Sequence, residues 1–290
     1  MIVELVQTQT SDGLRLHGAL NKHPGVEGIA PSVVICLHGV ASNFYTSSMM
    51  ATLANGIASE QFDVLRVNTR GRDNCCTMAT NRGGTRMGAA YEIIDDCRRD
   101  VDAWVDLCKS RGYKRVVLLG HSLGAIKVIY AEANDPHELV SQVIALSPPR
   151  LSHMAFINGP RSAEYDQSLA VADQAMAMGQ PGKLIDIMFP FPLLIAAGSY
   201  VDKYGPGERY NILEHVAHLR TPTRICFGSE ELTGSVAFEG LPELISERVA
   251  GSRAEMLTTV DVIDGADHMY SQRRDELVAW VGRHLMDADC

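Results

Sequence analysis

The serine in the segment Gly120-His121-Ser122-Leu123-Gly124 is the residue whose type and setting most clearly indicate chemistry. The apolar run 115–119 predicts a buried strand before it, and residues 125–131 predict a helix after it. A chain that turns from strand to helix within so few residues strains its central residue, and the two glycines remove Cβ atoms that would collide. The pattern therefore predicts a nucleophilic hydroxyl on Ser122 at the carboxyl end of a central strand.

A serine hydroxyl is a weak nucleophile until a base, normally a histidine, takes its proton. Of the ten histidines, only His268 lies in a loop directly after a predicted strand near the end of the chain. His38 and His121 flank glycines at strand ends and are interpreted as shaping those turns. His215 and His218 share a spacing that suits one helix face, but no third metal ligand is evident, so a solvated or capping role is favoured. His268 is the predicted base.

The base in turn needs a carboxylate that holds one tautomer of its ring. Glu230 and Glu231 both follow the strand predicted at 223–228, and adjacent side chains there point in different directions, so only one can face the histidine. Asp267 is too close to His268 in sequence to hold its ring easily, and Asp264 is a weaker candidate. The spacing alone leaves the choice between the two glutamates open.

Two backbone amides are predicted to stabilise the oxyanion that forms when a serine attacks a carbonyl. The amide of Leu123 follows the nucleophile directly. The amide of Val40 follows His38-Gly39 in a loop that leaves a neighbouring strand at the same edge of the sheet.

Strands and helices alternate along most of the chain, which predicts an α/β fold with a mostly parallel sheet covered by helices on both faces. An amino-terminal hairpin is predicted from residues 2–9 and 14–20, followed by a surface loop at 21–31. Further strands are predicted at 32–37, 62–68, 115–119, 139–147, 223–228 and 254–263, and helices at 46–60, 91–110, 125–131, 240–250 and 272–286.

Two stretches depart from this alternation. Residues 72–90 predict a long loop, because they are rich in Gly, Arg, Asn and Thr and have no clear period. Residues 150–217 show no strand alternation, so no strand is predicted there, and a helix is predicted at 163–178. This insertion over one edge of the sheet could be extra packing helices or a helical cap whose Met and Phe residues wall a substrate pocket. The predicted organisation is thus a core at 1–149 and 218–290, interrupted by a cap at 150–217.

Composition limits the classes of partner. The net charge of 26 − 35 = −9 argues against nucleic acid and anionic membranes as partners. The chain has seven cysteines, an odd number that does not suit a set of disulfides, and most of them lie within apolar strand or helix patterns. They are therefore interpreted as buried thiols in a reducing compartment. Cys75-Cys76 has no second Cys or His pair at metal-ligand spacing. No signal peptide or membrane-spanning run is predicted, so a cytoplasmic protein without metal is expected; the pattern does not predict an oligomeric state.

The order of Ser122, an acid and His268, together with Leu37-His38-Gly39, resembles the α/β-hydrolase family over nearly the whole chain. In that family the acid is often the last residue of a Gly-x-x-Asp segment. The matching segment is Gly228-Ser229-Glu230-Glu231, with glutamate in place of aspartate, which implies Glu231 as the acid. Arg70-Gly71 is also similar to a turn of the family.

The resemblance implies hydrolysis of a carboxylic ester of a small molecule through an acyl-serine intermediate, with no cofactor. Residues 68–71 and 88–92 are loosely similar to siderophore-type esterases, which implies a larger substrate than simple esters. The same residues would serve thioester or amide cleavage, acyl transfer, or acid–base chemistry in a lyase or C–C bond hydrolase. A non-catalytic binding protein on the same scaffold is the alternative from another class.

Overall fold

Twelve strands and nine α-helices form the part of the chain that the computed structural model describes, residues 3–22, 32–58 and 62–286. The strands are β1 Glu4–Gln9, β2 Arg15–Asn21, β3 Ser32–Leu37, β4 Phe62–Val67, β5 Cys76–Thr80, β6 Gly83–Met87, β7 Arg115–His121, β8 Val140–Leu146, β9 Leu184–Ile187, β10 Leu193–Ala196, β11 Thr223–Gly228 and β12 Thr258–Ile263. The helices are α1 Ser48–Ala58, α2 Cys97–Ser110, α3 Leu123–Asn134, α4 His153–Ile157, α5 Ser162–Ala177, α6 Ala197–Tyr204, α7 Glu231–Gly234, α8 Leu241–Val249 and α9 Arg274–Met286.

Eight of the strands form one sheet in the order β1-β2-β4-β3-β7-β8-β11-β12. Strand β2 pairs antiparallel with β1 and β4, and the six strands from β4 to β12 pair in parallel. The register aligns the carboxyl ends of neighbouring strands through the pairs Leu37–Gly120, His121–Leu146, Cys226–Leu146 and Gly228–Ile263. The loops that carry the predicted site residues therefore leave the sheet at one edge.

Helices cover both faces of this sheet, as its doubly apolar strands predict. Helices α1 and α9 cover one face, where Leu53 and Trp280 share an apolar cluster with Val117 of β7. Helices α2 and α3 cover the other face, where Trp104 and Leu118 are buried together. Consecutive side chains of a strand point to opposite faces, so Val117 and Leu118 of β7 pack against the two different helix layers.

The prediction of a structureless loop at 72–90 is wrong. Strands β5 and β6 pair antiparallel within it as a short hairpin. Only Met78 of this hairpin is fully buried, so the strands lack the alternation of apolar and polar residues that would have identified them. The helix predicted at 91–110 also begins later, because Ile94–Asp96 forms a 3-10 turn before α2.

Residues 150–217 contribute no strand to the eight-stranded sheet. The predicted helix at 163–178 is confirmed as α5. The expectation that this segment holds no strands is wrong, because β9 and β10 pair antiparallel within it. Both strands have only four residues, and the connection between them is the proline-broken run 188–192, which conceals the hairpin in the sequence.

Four of the predicted buried cysteines, Cys36, Cys97, Cys108 and Cys226, are buried with free thiols. Cys290 and most of the loop predicted at 21–31 lie outside the described residues. Within the described ranges, no helix is long and apolar enough to cross a bilayer.

The buried carboxyl of Glu132 on α3 gives a test of the packing behind the sheet. Glu132 is 3% exposed, accepts a hydrogen bond of 2.7 Å from Thr221 Oγ1, and burial raises its pKa from 4.5 to about 7. The neutral carboxyl therefore contributes stability below about pH 4.5 that is lost as the pH rises through about 7. We compare the unfolding free energy of Glu132→Gln with that of the wild type. We expect this difference to shift in favour of the variant by roughly 2 kcal/mol when the pH is raised from 5 to 8.

Urea unfolding of both proteins at the two pH values measures this difference. The matched control is Glu138→Gln, which changes an exposed carboxylate. An equal effect of Glu132→Gln at both pH values would contradict the assignment.

Candidate active site

Ser122 lies between β7 and α3 in a strained backbone conformation, with φ 56° and ψ −121°. The flanking glycines are required by close backbone contacts. A Cβ atom on Gly120 would lie 2.2 Å from the carbonyl oxygen of Gly124, and one on Gly124 would lie 2.4 Å from that of Leu37. The sharp turn is therefore built into the junction of β7, α3 and β3, and it presents the Ser122 hydroxyl at the edge of the sheet.

The structure brings His268 to Ser122 across 146 residues of chain. His268 Nε2 lies 3.1 Å from Ser122 Oγ, and its Nδ1 lies 2.6 Å from Glu231 Oε2. The two ring nitrogens thus face the hydroxyl and the carboxylate, and the ring can move a proton at Nε2 while Nδ1–H stays bonded to the acid.

His121 holds the backbone of the loop that carries His268. Its Nε2 lies 2.8 Å from the carbonyl oxygen of His268, and a carbonyl can only accept, so the ring donates. Burial, together with the neighbouring His268, lowers the pKa of His121 to about 3, which keeps the ring neutral. The turn-shaping interpretation of His121 from sequence is thus too narrow, because the ring also fixes the neighbouring loop.

Glu231, not Glu230, is the carboxylate in contact with His268. Glu231 is 7% exposed, while Glu230 is exposed. The second oxygen of Glu231, Oε1, accepts hydrogen bonds from the Gly228 amide at 2.8 Å and from Ser147 Oγ at 2.6 Å. Both carboxylate oxygens of Glu231 therefore have hydrogen-bond donors: Oε1 has the Gly228 amide and the Ser147 hydroxyl, and Oε2 has the ring of His268.

The two aspartates near His268 are engaged elsewhere. Asp267 Oδ1 accepts from the amides of Met269 and Ser271, and Asp264 Oδ1 accepts from Ser229 Oγ. Both carboxylates stabilise the local loop rather than the ring of His268.

Val40 and Leu123, whose amides are the predicted oxyanion donors, line the same cavity as Ser122. His38 Nδ1 lies 2.8 Å from the carbonyl oxygen of Gly39, so this ring holds the Gly39–Val40 peptide with its carbonyl toward His38. In a trans peptide the N–H points to the opposite side. Gly39 also packs against Ser122, since a Cβ atom on it would lie 3.3 Å from Ser122 Cβ.

His38 is kept neutral in this role. Burial and the Lys127 ammonium lower its pKa to about 4. The neutral ring donates from Nδ1 and accepts at Nε2 from the Thr69 amide at 3.2 Å. These hydrogen bonds agree with the turn-shaping role that the sequence predicts for His38.

A buried ionic cluster behind the site escaped sequence analysis. Lys127 Nζ lies 2.6 Å from Glu92 Oε2 and 3.0 Å from Thr69 Oγ1, and Lys203 Nζ lies 3.1 Å from Glu92 Oε1. Burial would raise the pKa of Glu92, but the two ammonium groups outweigh it and hold the pKa at about 2. Gly71 makes room for this carboxylate, because a Cβ atom there would lie 1.9 Å from Glu92 Oε2.

A cavity of about 720 Å³ opens in front of Ser122 and His268. Its walls are mostly apolar and include Met50, Leu123, Leu151, Phe156, Phe189, Phe191, Val236, Phe238 and Met269. The 150–217 segment supplies Leu151 and three of the phenylalanines. This arrangement suits a substrate with an apolar group of some size.

Among the described residues that line this cavity, Arg161 is the single arginine or lysine, and its guanidinium already makes hydrogen bonds. It pairs with Glu164, donates to the carbonyl oxygens of Pro190 at 2.6 Å and Met188 at 3.1 Å, and lies over the ring of Phe189. Arg161 therefore holds the β9–β10 connection in place.

The described ranges contain no group of three or more His, Cys, Asp or Glu side chains that could hold a metal ion. His215, one of the two histidines considered for a metal, bonds through Nε2 to the carbonyl oxygen of Arg209 and packs against Tyr130.

The chain belongs to the alpha/beta hydrolase family, because the model of that family matches residues 34–280. This confirms the fold class that the sequence predicted. Curated proteins include none with significant sequence similarity to the chain.

Several solved structures have the same fold over nearly the whole chain. The alpha/beta hydrolase GrgF from Penicillium sp. sh18 is similar with a TM-score of 0.70 and 17% identity, covering 99% of this chain and 98% of that one. Est1E from Butyrivibrio proteoclasticus, solved with ferulic acid bound, has a TM-score of 0.66 and 14% identity, covering 98% and 99%. A monoglyceride lipase from Saccharomyces cerevisiae has a TM-score of 0.66 and 15% identity, covering 99% and 96%. At these identities the likeness establishes the fold alone.

Proposed function

We propose that this chain is a serine hydrolase that cleaves carboxylic esters through an acyl-Ser122 intermediate. The observation that carries the proposal is the unbroken series of contacts from Ser122 Oγ to His268 Nε2 at 3.1 Å and from His268 Nδ1 to Glu231 Oε2 at 2.6 Å, at the wall of an apolar cavity. Nucleophile, base and orienting acid are the three roles that acyl transfer needs.

In the first half of the reaction His268 Nε2 takes the proton of Ser122 as Oγ bonds to the ester carbonyl carbon. The carbonyl oxygen becomes an oxyanion, which accepts hydrogen bonds from the amides of Val40 and Leu123. The bond to the alcohol oxygen then breaks, and His268 Nε2–H returns the proton to the leaving alcohol. The acyl group remains on Ser122.

In the second half a water molecule takes the place of the alcohol. His268 Nε2 takes one proton of the water as its oxygen bonds to the acyl carbon. The tetrahedral intermediate collapses, Ser122 Oγ leaves and receives the proton from His268, and the carboxylic acid is released. Glu231 keeps Nδ1–H in place throughout and stabilises the positive charge of the ring.

The substrate class follows from the walls of the cavity. They are apolar and aromatic, and Arg161 is already bonded to Glu164 and two carbonyl oxygens. We propose an ester that is uncharged and carries a large apolar group, with residues 150–217 acting as a cap over it. The ferulic acid bound to Est1E and the monoglyceride lipase among the structural relatives support this class.

A panel of p-nitrophenyl esters with acyl chains from acetyl to dodecanoyl, with matched acyl thioesters and anilides, tests the proposal. We expect ester turnover whose kcat/KM rises with acyl length and then falls when the cavity is filled. Turnover of the thioesters alone would contradict the proposal in favour of a thioesterase, and binding of esters without turnover would favour a binding protein.

Phe191 gives a test of the cavity wall. It lines the cavity, yet it is 39% exposed, so its loss disturbs the core little. We expect Phe191→Ala to lower kcat/KM for long-chain or aryl esters by about 10-fold through lost apolar contact, while acetyl esters change less than about 2-fold. The matched control is Leu194→Ala, on the same hairpin and 41% exposed but not at the cavity. An equal loss for short and long esters would contradict the assignment of this wall.

A further inference from the structure

We propose that Ser147 and Tyr270 are positioning residues that fix the carboxylate of Glu231 for its work on His268. The inference rests on the proposed function, since it concerns the acid of that site. Neither residue touches Ser122 or the ring of His268 through a hydrogen bond, so both would act through Glu231.

Ser147 stands where β8 ends, directly beside the carboxylate. It is fully buried, and its Oγ lies 2.6 Å from Glu231 Oε1. An ionised carboxylate can only accept, so the hydroxyl donates its single proton to Glu231. Its backbone is at φ 50°, a left-handed conformation that serine rarely adopts. The amide of Ser147 donates to the Cys226 carbonyl at 2.7 Å, which ties this conformation to β11.

Tyr270 supplies the next hydrogen bond. Its side chain is fully buried, and its hydroxyl lies 2.9 Å from Ser147 Oγ and 3.0 Å from the Cys226 carbonyl oxygen. Because the Ser147 proton goes to Glu231, Ser147 Oγ can only accept from the phenol. The single proton of Tyr270 therefore has two acceptors within reach, Ser147 Oγ and the Cys226 carbonyl oxygen, which can accept a second hydrogen bond beside the Ser147 amide. Burial raises the pKa of Tyr270 well above its usual value, so the phenol keeps its proton. Tyr270 is also at φ 52°.

The hydrogen bonds to Oε1 restrict a glutamate side chain that would otherwise be free to take several orientations. A glutamate side chain has one more rotatable bond than aspartate and loses more freedom when it is held in one orientation. The Gly228 amide and the Ser147 hydroxyl both bind Oε1, which leaves Oε2 directed at His268 Nδ1. Ser147, which binds this acid, Tyr270, which binds Ser147, and Ser122, which binds His268, all have positive φ angles. Backbone strain of this kind is found where a site needs fixed geometry.

Loss of the Ser147 hydroxyl has a predictable chemical effect. The carboxylate loses one donor, becomes more basic and stabilises the protonated ring of His268 more strongly. We expect Ser147→Ala to lower kcat by about 10- to 100-fold with KM changed less than about 3-fold. We also expect the acid limb of the kcat/KM profile to move to higher pH, by roughly half a unit or more.

The pH profiles and kcat of Ser147→Ala, Ser147→Gly and Tyr270→Phe test the proposal with the best ester of the panel. Glycine tolerates the positive φ, so a loss in both Ser147 variants assigns the effect to the hydroxyl rather than to the strain. Tyr270→Phe keeps the ring and is expected to shift kcat and the acid limb in the same direction, but less. The control is Tyr113→Phe, which removes a buried phenol paired with Asp63 before β7 begins.

A double-mutant cycle separates positioning from a structural role. In a Glu231→Gln background the added Ser147→Ala change is expected to cost little further activity, because the carboxylate it serves is gone. Two results would overturn the inference: full additivity of the two changes, or an acid limb that does not move in any of the three variants. If wild-type turnover still depends on Ser122, the proposed function remains intact in either case. Wild-type protein without Ser122-dependent turnover would overturn both. If the Ser147 variants fold poorly by thermal unfolding, Tyr270→Phe decides the question.

Discussion

Replacement of Ser122 by alanine is expected to lower kcat for ester hydrolysis by about 10⁴-fold or more. The variant keeps the cavity, His268 and the backbone amides, but it has no atom at which the acyl group can be held. Its remaining rate should come from substrate binding and oxyanion stabilisation alone. KM, or the Kd of a substrate analogue, should change little, because the hydroxyl contributes little to binding of the ground state.

Steady-state kinetics with the best ester of the panel measures this effect, and circular dichroism checks that the variant is folded. The control is Ser110→Ala, which removes an exposed hydroxyl at the end of α2 that does not line the cavity. Retention of more than about a tenth of the wild-type kcat in Ser122→Ala would contradict the nucleophile assignment.

Glu231→Gln is expected to have the second-largest effect, a loss of about 10³- to 10⁴-fold in kcat. The amide has nearly the shape of the carboxylate, but its NH₂ group can donate to His268 Nδ1. That hydrogen bond favours the tautomer with the proton on Nε2, which faces Ser122 and cannot accept its proton. The negative charge that stabilises the protonated ring is lost at the same time.

Glu230→Gln is the matched control, because Glu230 is adjacent in sequence and exposed. We expect it to leave kcat within about 2-fold of the wild type. Comparison of the two variants by kcat across pH 5–9 decides between the glutamates. A large loss in Glu230→Gln together with a small loss in Glu231→Gln would reverse the assignment.

The features that sequence could predict are those that depend on local pattern. The apolar run before Ser122 and the glycines around it predict the sharp strand-to-helix turn. The structure shows why the glycines are needed, because a Cβ at Gly120 or Gly124 would meet backbone atoms. The contact of His268 with Ser122 could be anticipated because His268 follows a strand that ends at the same edge of the sheet. The parallel sheet followed from strands that are apolar on both faces.

The features that sequence could not predict depend on the direction of side chains or on distant partners. Glu230 and Glu231 differ only in which way they point as α7 begins, and the deciding partners, Ser147 and Gly228, come from the ends of β8 and β11. The β5–β6 hairpin buries almost nothing, so no apolar alternation identified it.

Buried charges were equally hidden. Glu92, Lys127 and Lys203 have the residue types of a solvated surface, and only the folded chain brings their charges together. Lys127 lies 35 residues and Lys203 lies 111 residues from Glu92 in the sequence, so no local pattern links the three. The same holds for Tyr270, whose partners lie at the ends of β8 and β11.

Reaction with a fluorophosphonate, followed by intact mass and peptide mapping, tests the central claim most directly. We predict one adduct per chain on Ser122, absent in Ser122→Ala and formed at least about 100-fold more slowly in His268→Ala. A wild-type protein that forms no adduct, or forms it on another residue at the same rate in Ser122→Ala, would contradict the account.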